Sequence, residues 1–195
     1  SKDSKNNNSK SYRRIVFDEL CANFLTLSEN RKRIRIKKYP KKFEKKFMDS
    51  IIKDLPFELT ISQKHVLEEI NLDLMSNNRM FRIIQGDVGS GKTIVSLLAI
   101  INIIKSGYQC ALMSPTEILA KQHYDLSLKI FKNINLKIDF LTGKTDYKKR
   151  KEILLNLSKG KSNLLIGTHA LFQKKINFKR LGLVVIDEQH KFGVN

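Results

Sequence analysis

Across residues 13–27 the apolar side chains Ile15, Val16, Leu20, Phe24 and Leu27 recur at the spacing that lines one face of a helix. A second helix is expected over about 41–53, closing ahead of Pro56, because a proline drives the residue before it out of the helical region. Residues 59–74 read as a third, with Thr60 or Ser62 near its start. Beyond that point the pattern changes to short apolar runs separated by helical stretches. The run 81–85 (FRIIQ) ends at a glycine and reads as a buried strand. Residues 93–104 are apolar on nearly every side, so a helix there packs on a sheet and is covered by neighbours, and Gly107 stops it.

Further strands are expected at 110–114, 138–141, 163–167 and 183–187, with a helix over about 146–157. Ser114, Pro115 and Glu117 read as N-cap, first and third residues of a capping box, opening a helix that runs to about residue 131. Apolar strands alternating with helices indicate an α/β fold whose mainly parallel sheet is covered by helices on both faces.

Charge adds a candidate partner. The formal net charge is +18 and the isoelectric point is near 9.9, which favours a polyanion such as nucleic acid. The densest basic run, RKRIRIKKYPKKFEKKF at 31–47, is either a solvated helix face or an electrostatic track for a DNA backbone. The polar, low-complexity residues 1–10 read as a disordered tail. Cys21 and Cys110 form no CxxC pair, so neither a disulfide framework nor a zinc site is expected, and a reducing cytoplasm fits. No apolar run approaches the roughly 18 residues of a membrane span. The chain begins with Ser rather than Met, which suits a fragment or a processed product.

Candidate chemistry begins at GDVGSGKT, residues 86–93. Gly86, Gly91, Lys92 and Thr93 satisfy G-x-x-x-x-G-K-[ST], between an expected strand and an expected helix. Gly86, Gly89, Ser90 and Gly91 let the backbone close around an anion, whose charge meets N–H groups at the helix start. Lys92 can reach the β- and γ-phosphates of a nucleotide, and Thr93 can offer its hydroxyl to Mg2+. Such a loop needs an acidic partner. Asp187 and Glu188 end the apolar run LVVID, at the strand end where open α/β sheets bind ligands. Asp187 suits a metal carboxylate, and Glu188 suits a group that orients or deprotonates water. The Gln63 amide could both donate to and accept from an adenine edge. His65 and His123 read as ordinary helix-surface residues.

With these residues assembled, the sequence resembles the superfamily 2 helicases. Within them it is similar to the RecG family of bacterial ATP-dependent branched-DNA helicases, over roughly residues 11–195. The motifs are PFELTISQ, GDVGSGKT, SPTEILAKQH, LTG, GTHALFQ and DEQHKFGV. The transcription-repair coupling factor is similar at GDVG and GTH, but Glu117 and the DEQH of 187–190 favour RecG.

The resemblance implies a RecA-like P-loop NTPase domain over 56–195, truncated after motif II, the acidic motif at 187–190, with a helical basic linker over 11–55 before it. It implies ATP and Mg2+ as cofactors, Gln63 as a reader of adenine, and Lys92, Asp187 and Glu188 as the catalytic set. Gln189 and His190 are implied to couple nucleotide to DNA. Pro115, Thr116, Glu117, Thr142, Gly143, Gly167, Thr168 and His169 match DNA-contacting motifs. The implied partners are branched or forked DNA, a second RecA-like domain and a wedge domain of a longer, monomeric protein. The isolated fragment is then expected to turn over ATP weakly or not at all. The alternatives are a coupling-factor-like DNA translocase domain and a basic DNA-binding module without catalysis.

Overall fold

The apolar runs assemble into a parallel sheet. The computed structural model describes residues 14, 17, 18, 21, 25, 37–41, 43–173 and 175–188. Its elements are α1 (Lys45–Lys53), α2 (Ile61–Met75), α3 (Lys92–Lys105), β1 (Gln109–Met113), α4 (Glu117–Ile130), β2 (Ile138–Leu141), α5 (Tyr147–Lys159), β3 (Leu164–Gly167) and β4 (Leu181–Ile186), with a 3-10 turn at His169–Phe172. The strands lie in the order β2-β3-β1-β4, and every pairing is parallel.

That order decides where the helices go. The β1–α4–β2 connection crosses the sheet one way, and β2–α5–β3 returns the other way. Right-handed crossovers then demand that α4 and α5 lie on opposite faces. The packing agrees. Leu164 and Ile166 of β3 join Cys110 and Leu112 of β1 in a core with α1, α2, α3 and the end of α4. Leu165, whose side chain leaves the other face, packs with Leu141 and with Ile153 and Leu157 of α5. Within α3, Leu97, Leu98, Ile100, Ile101 and Ile103 are fully buried, each burial worth about 1.5–3 kcal/mol. Cys110 is fully buried too, and burial pushes its thiol far above the usual range. Gln109 closes the N-terminal end of the sheet. Its amide donates to Leu157 O and Ser162 O, and its oxygen accepts from Arg180 N, at 2.7–3.0 Å.

The described residues divide into two units. One takes in the N-terminal segment to residue 39 together with 77–79. In it Arg14 pairs with Asp18 at 3.1 Å, and Lys37 and Asn78 form an antiparallel bridge. The other unit holds residues 40–76 and everything from 80 onward, including the sheet. Met48 and Ile51 of α1 contribute to its core. Most of the first expected helix, with Ile15, Val16, Leu20, Phe24 and Leu27, lies outside the described residues, as do the basic run before Lys37 and the pair Gln189 and His190.

Three local expectations are corrected. The helix expected from residue 41 starts at Lys45, with Glu44 in extended conformation as its N-cap. The cap of α4 is Thr116 rather than Ser114: Thr116 Oγ1 accepts from Leu119 N at 3.3 Å, whereas Ser114 is fully buried just past the end of β1. Residues 81–85 belong to no strand and ladder with none among the described residues, and Phe81 and Ile83 are 66% and 69% exposed. A strand needs a neighbour to take its backbone hydrogen bonds. This segment instead faces β4 across an open groove, and β4 is an edge strand with Val184 and Ile186 exposed. Arg82 anchors it from the side, paired with Glu69 and Asp73 of α2.

Candidate functional site

The loop 86–91 connects that segment to α3. Gly91 is the N-cap of α3 in left-handed conformation (φ 82°), which favours a residue without Cβ. A second constraint acts at the same place, because a Cβ on Gly91 would run into the Gln63 side-chain amide. Gln63 sits there for a local reason. Thr60 caps α2, and Gln63 completes a capping box, its Oε1 accepting from Thr60 N at 3.0 Å. Its Nε2 then donates to Ser90 O at 2.9 Å, so the start of α2 is tied to the phosphate loop. Lys92 Nζ donates to the carbonyls of Gly86 and Asp87 at 2.7 and 2.8 Å, which curls the loop around its ammonium group. Gln63→Ala removes both links. It is expected to cost about 1–2 kcal/mol, read as a lower melting temperature by circular dichroism. An unchanged melting temperature would mean that the link to Ser90 is idle.

Asp187 follows β4 and is held to the sheet by its N–H, which donates to Met113 O at 2.8 Å. Glu188 comes next at φ 51°, a left-handed conformation that non-glycine residues rarely adopt and that clusters at functional sites. Gly86, Lys92, Thr93, Asp187 and Glu188 line one groove of about 1250 Å3, which continues between the 82–86 segment and β4. Residues more than ninety positions apart therefore share one cleft at the C-terminal edge of the sheet. Thr93 and Asp187 offer hard oxygen donors, which suits Mg2+ completed by phosphate oxygens and water.

His123 also lines this groove, and here the structure overturns the sequence reading. It is only 8% exposed, and its Nε2 lies 2.7 Å from Asp187 Oδ2. Asp187 is held below the usual carboxylate range chiefly by this hydrogen bond, with the Glu188 N–H and Lys92 contributing less and burial opposing. The signal was present in the sequence. Ala120, His123 and Ser127 recur at helical spacing and form the buried stripe of α4. His65 does lie on the surface, 3.6 Å from Glu69.

The remaining candidates follow the C-terminal ends of the other three strands. From β2 to β4 the order is Thr142 and Gly143, then Gly167 to His169, then Pro115 to Glu117, then Asp187. At about 4.8 Å per strand this row spans about 14 Å. Thr116, Gly143 and His169 are exposed. Thr142 and Thr168 are 5% and 7% exposed, and Thr142 Oγ1 accepts from Lys144 N at 3.3 Å. Gly167 has a packing reason: a Cβ there would overlap the Leu141 carbonyl and press on Leu171.

Glu117 pairs with Lys144 at 3.1 Å, and this hydrogen bond is the first cause of a carboxyl pKa below its ordinary 4.5. A depressed pKa stabilises above the ordinary value, and the effect fades as pH falls through the depressed one. Lys144→Ala is therefore expected to raise the Glu117 midpoint toward its ordinary value in an NMR titration, with a small loss of stability near neutral pH that disappears below the depressed midpoint. An unmoved midpoint would mean that the pair does not form in solution.

Residues 60–195 match the model of the DEAD/DEAH box helicase family. ATP-dependent DNA helicase RecG of Aquifex aeolicus is 44% identical over 184 residues, covering 94% of this chain and 23% of the relative. The RecG helicase of Synechocystis sp. is 47% identical, with 93% and 22% covered. A solved structure of RecG bound to a three-way DNA junction superposes with a TM-score of 0.82 at 41% identity, covering 94% of this chain and 26% of that one. The chain thus spans about a quarter of the length of these relatives. The four parallel strands and their flanking helices form the RecA-like core of a helicase motor domain. By its sequence over residues 60–195, the chain belongs to the DEAD/DEAH box helicase family, and over most of its length it is similar to the RecG helicases within bacteria.

Proposed function

We propose that this chain is the nucleotide-binding motor segment of a RecG-type, ATP-dependent DNA helicase that remodels branched or forked DNA in recombination and repair. The observation that carries the reading is the convergence of Lys92 and Thr93 with Asp187 and Glu188 in one groove, in a chain so similar to RecG helicases.

The residues divide the work by their chemistry. The loop N–H groups and the positive end of α3 hold the β- and γ-phosphates of ATP. Lys92 exchanges its bonds to Gly86 O and Asp87 O for phosphate oxygens. Thr93 and Asp187 hold Mg2+, which when bound offsets the negative charge of the phosphates. Glu188 orients and deprotonates the attacking water. Gln63, already bonded to Ser90 O, is close enough to the loop to report an adenine edge to it. Thr116, Gly143 and His169 meet the DNA backbone without reading sequence, while Thr142, Gly167 and Thr168 shape the turns that present them. Gln189 and His190 couple the two sites.

The partners under this reading are branched DNA and, in the longer monomeric protein, a wedge domain and a second RecA-like domain. The second domain supplies cations to the γ-phosphate, and their loss lowers turnover by about 10^3 or more. The work takes place in the bacterial cytoplasm. Among the described residues no helix is long and apolar enough to cross a membrane.

Equilibrium binding of a fluorescent ATP analogue with Mg2+, and of a forked duplex across a salt series, tests the proposal. Nucleotide binding and salt-dependent DNA binding are expected, with no strand separation by the chain alone. A chain that binds DNA but takes no nucleotide at millimolar concentration would instead be a basic DNA-binding module.

A further inference from the structure

We propose that His123 is a positioning residue for the metal carboxylate. It acts through Asp187 rather than on nucleotide or metal itself, and the inference rests on the reading of Asp187 as a Mg2+ ligand. The geometry carries it. His123 is 8% exposed, and its Nε2 stands 2.7 Å from Asp187 Oδ2, across 64 positions of sequence. In this arrangement His123 Nε2–H donates to Asp187 Oδ2. One carboxylate oxygen is thereby spent on α4, leaving Oδ1 as the oxygen for the metal shell.

The backbone alone would not hold the carboxylate so well. Asp187 lies one residue beyond β4, and among the described residues β4 is an edge strand paired with β1 alone. A carboxylate there keeps its side-chain rotations unless a second element takes hold of it. His123 provides that hold from a helix whose buried stripe packs on the sheet. Ser127 Oγ donates to His123 O at 2.7 Å, one turn further along the same stripe. The same helix begins at Thr116 and Glu117. His123 lies seven residues after Thr116, about 10 Å along the axis. Asp187 is thus gripped by the element that presents the proposed DNA contacts. Partners that orient a ligating carboxylate are worth about 10- to 100-fold in metal affinity.

The test uses the 195-residue chain with ADP and Mn2+ as the probe. Free Mn2+ is read by electron paramagnetic resonance at saturating ADP, and ADP affinity is read separately in excess chelator. Three variants are compared: His123→Leu, which keeps bulk without a donor; His123→Gln, whose amide N–H stands in for Nε2–H; and Asp187→Asn. His123→Leu is expected to weaken Mn2+ about tenfold, with metal-free ADP affinity and melting temperature little changed. His123→Gln is expected to recover most of the loss, which a purely structural histidine or one that ligates the metal directly would not allow. Should His123→Leu fail to fold, His123→Gln against wild type still decides, since near-normal Mn2+ affinity is then required. The inference fails if Mn2+ affinity is unchanged in His123→Leu while Asp187→Asn loses it, or if His123→Gln binds Mn2+ no better than His123→Leu. If Asp187→Asn binds Mn2+ normally, or wild type binds none, the reading of Asp187 as ligand falls and takes this inference with it.

Discussion

Lys92→Ala is expected to abolish measurable Mg·ATP binding while leaving the fold intact. The ammonium group makes two hydrogen bonds, to Gly86 O and Asp87 O, and a nucleotide must replace these with bonds to phosphate. Charge-assisted bonds of this kind contribute about 1.5–3 kcal/mol each. Losing two of them to phosphate would lower affinity by roughly two orders of magnitude or more. The fold has little at stake, because the two carbonyls belong to a loop beside an open groove and water can take over. The expected signature is therefore a melting temperature close to wild type with a flat titration of fluorescent ATP. Steady-state hydrolysis with and without forked DNA, measured beside this variant, extends the result to chemistry. DNA-stimulated turnover that the variant lacks would mean that the site is completed by a second copy of the chain. Equal nucleotide binding by the variant and wild type would remove Lys92 from the site altogether.

Gly167→Ala is expected to be the most damaging single-methyl change in the proposed DNA-contacting motifs, and its damage is to the fold. The added Cβ overlaps the Leu141 carbonyl, a backbone atom in the neighbouring strand that has no rotamer by which to retreat. Ordinary overpacking costs about 1–3 kcal/mol. Because β2 and β3 would have to separate, the upper end or beyond applies. For a chain of this size about 3 kcal/mol corresponds to a fall of roughly 6–12 °C in melting temperature. Gly143→Ala is the matched control, since nothing lies within 4 Å of a Cβ built there. It should melt like wild type, and any weakening of DNA binding it shows would be a surface effect. If both variants melt alike, the close approach of β2 to β3 at Gly167 is not the one described.

The row of strand ends gives the two glycines these opposite characters. Both stand in short motifs following parallel strands, and from the sequence both look like backbone surfaces for a phosphate. Gly143 lies beyond β2 in an exposed turn, whereas Gly167 is the last residue of β3, between β1 and β2. An internal strand has a neighbour on each side, and an edge strand does not.

The sequence by itself determined whatever depends on near neighbours along the chain. Strand–helix alternation, the apolar α3, the G-x-x-x-x-G-K-[ST] loop ahead of it, and an acidic pair closing an apolar strand are all periodic or contiguous, so they are legible without coordinates. The same locality explains why the helix stop at Gly107 was visible, with its φ of 81°. Tertiary structure decided the rest. Whether residues 81–85 form a strand depends on a partner beside them, not on their own hydropathy. Thr116 rather than Ser114 caps α4 because β1 keeps Ser114 buried. Gln63 meets Ser90 only because α2 packs beside α3, and that contact adds a second reason for glycine at position 91 to its left-handed φ. His123 meets Asp187 because the strand order β2-β3-β1-β4 brings β4 next to β1, directly before α4. Hydrophobic period tells which face of an element is buried. It does not tell which element lies against that face, because strand order is settled by the packing energy of the whole sheet.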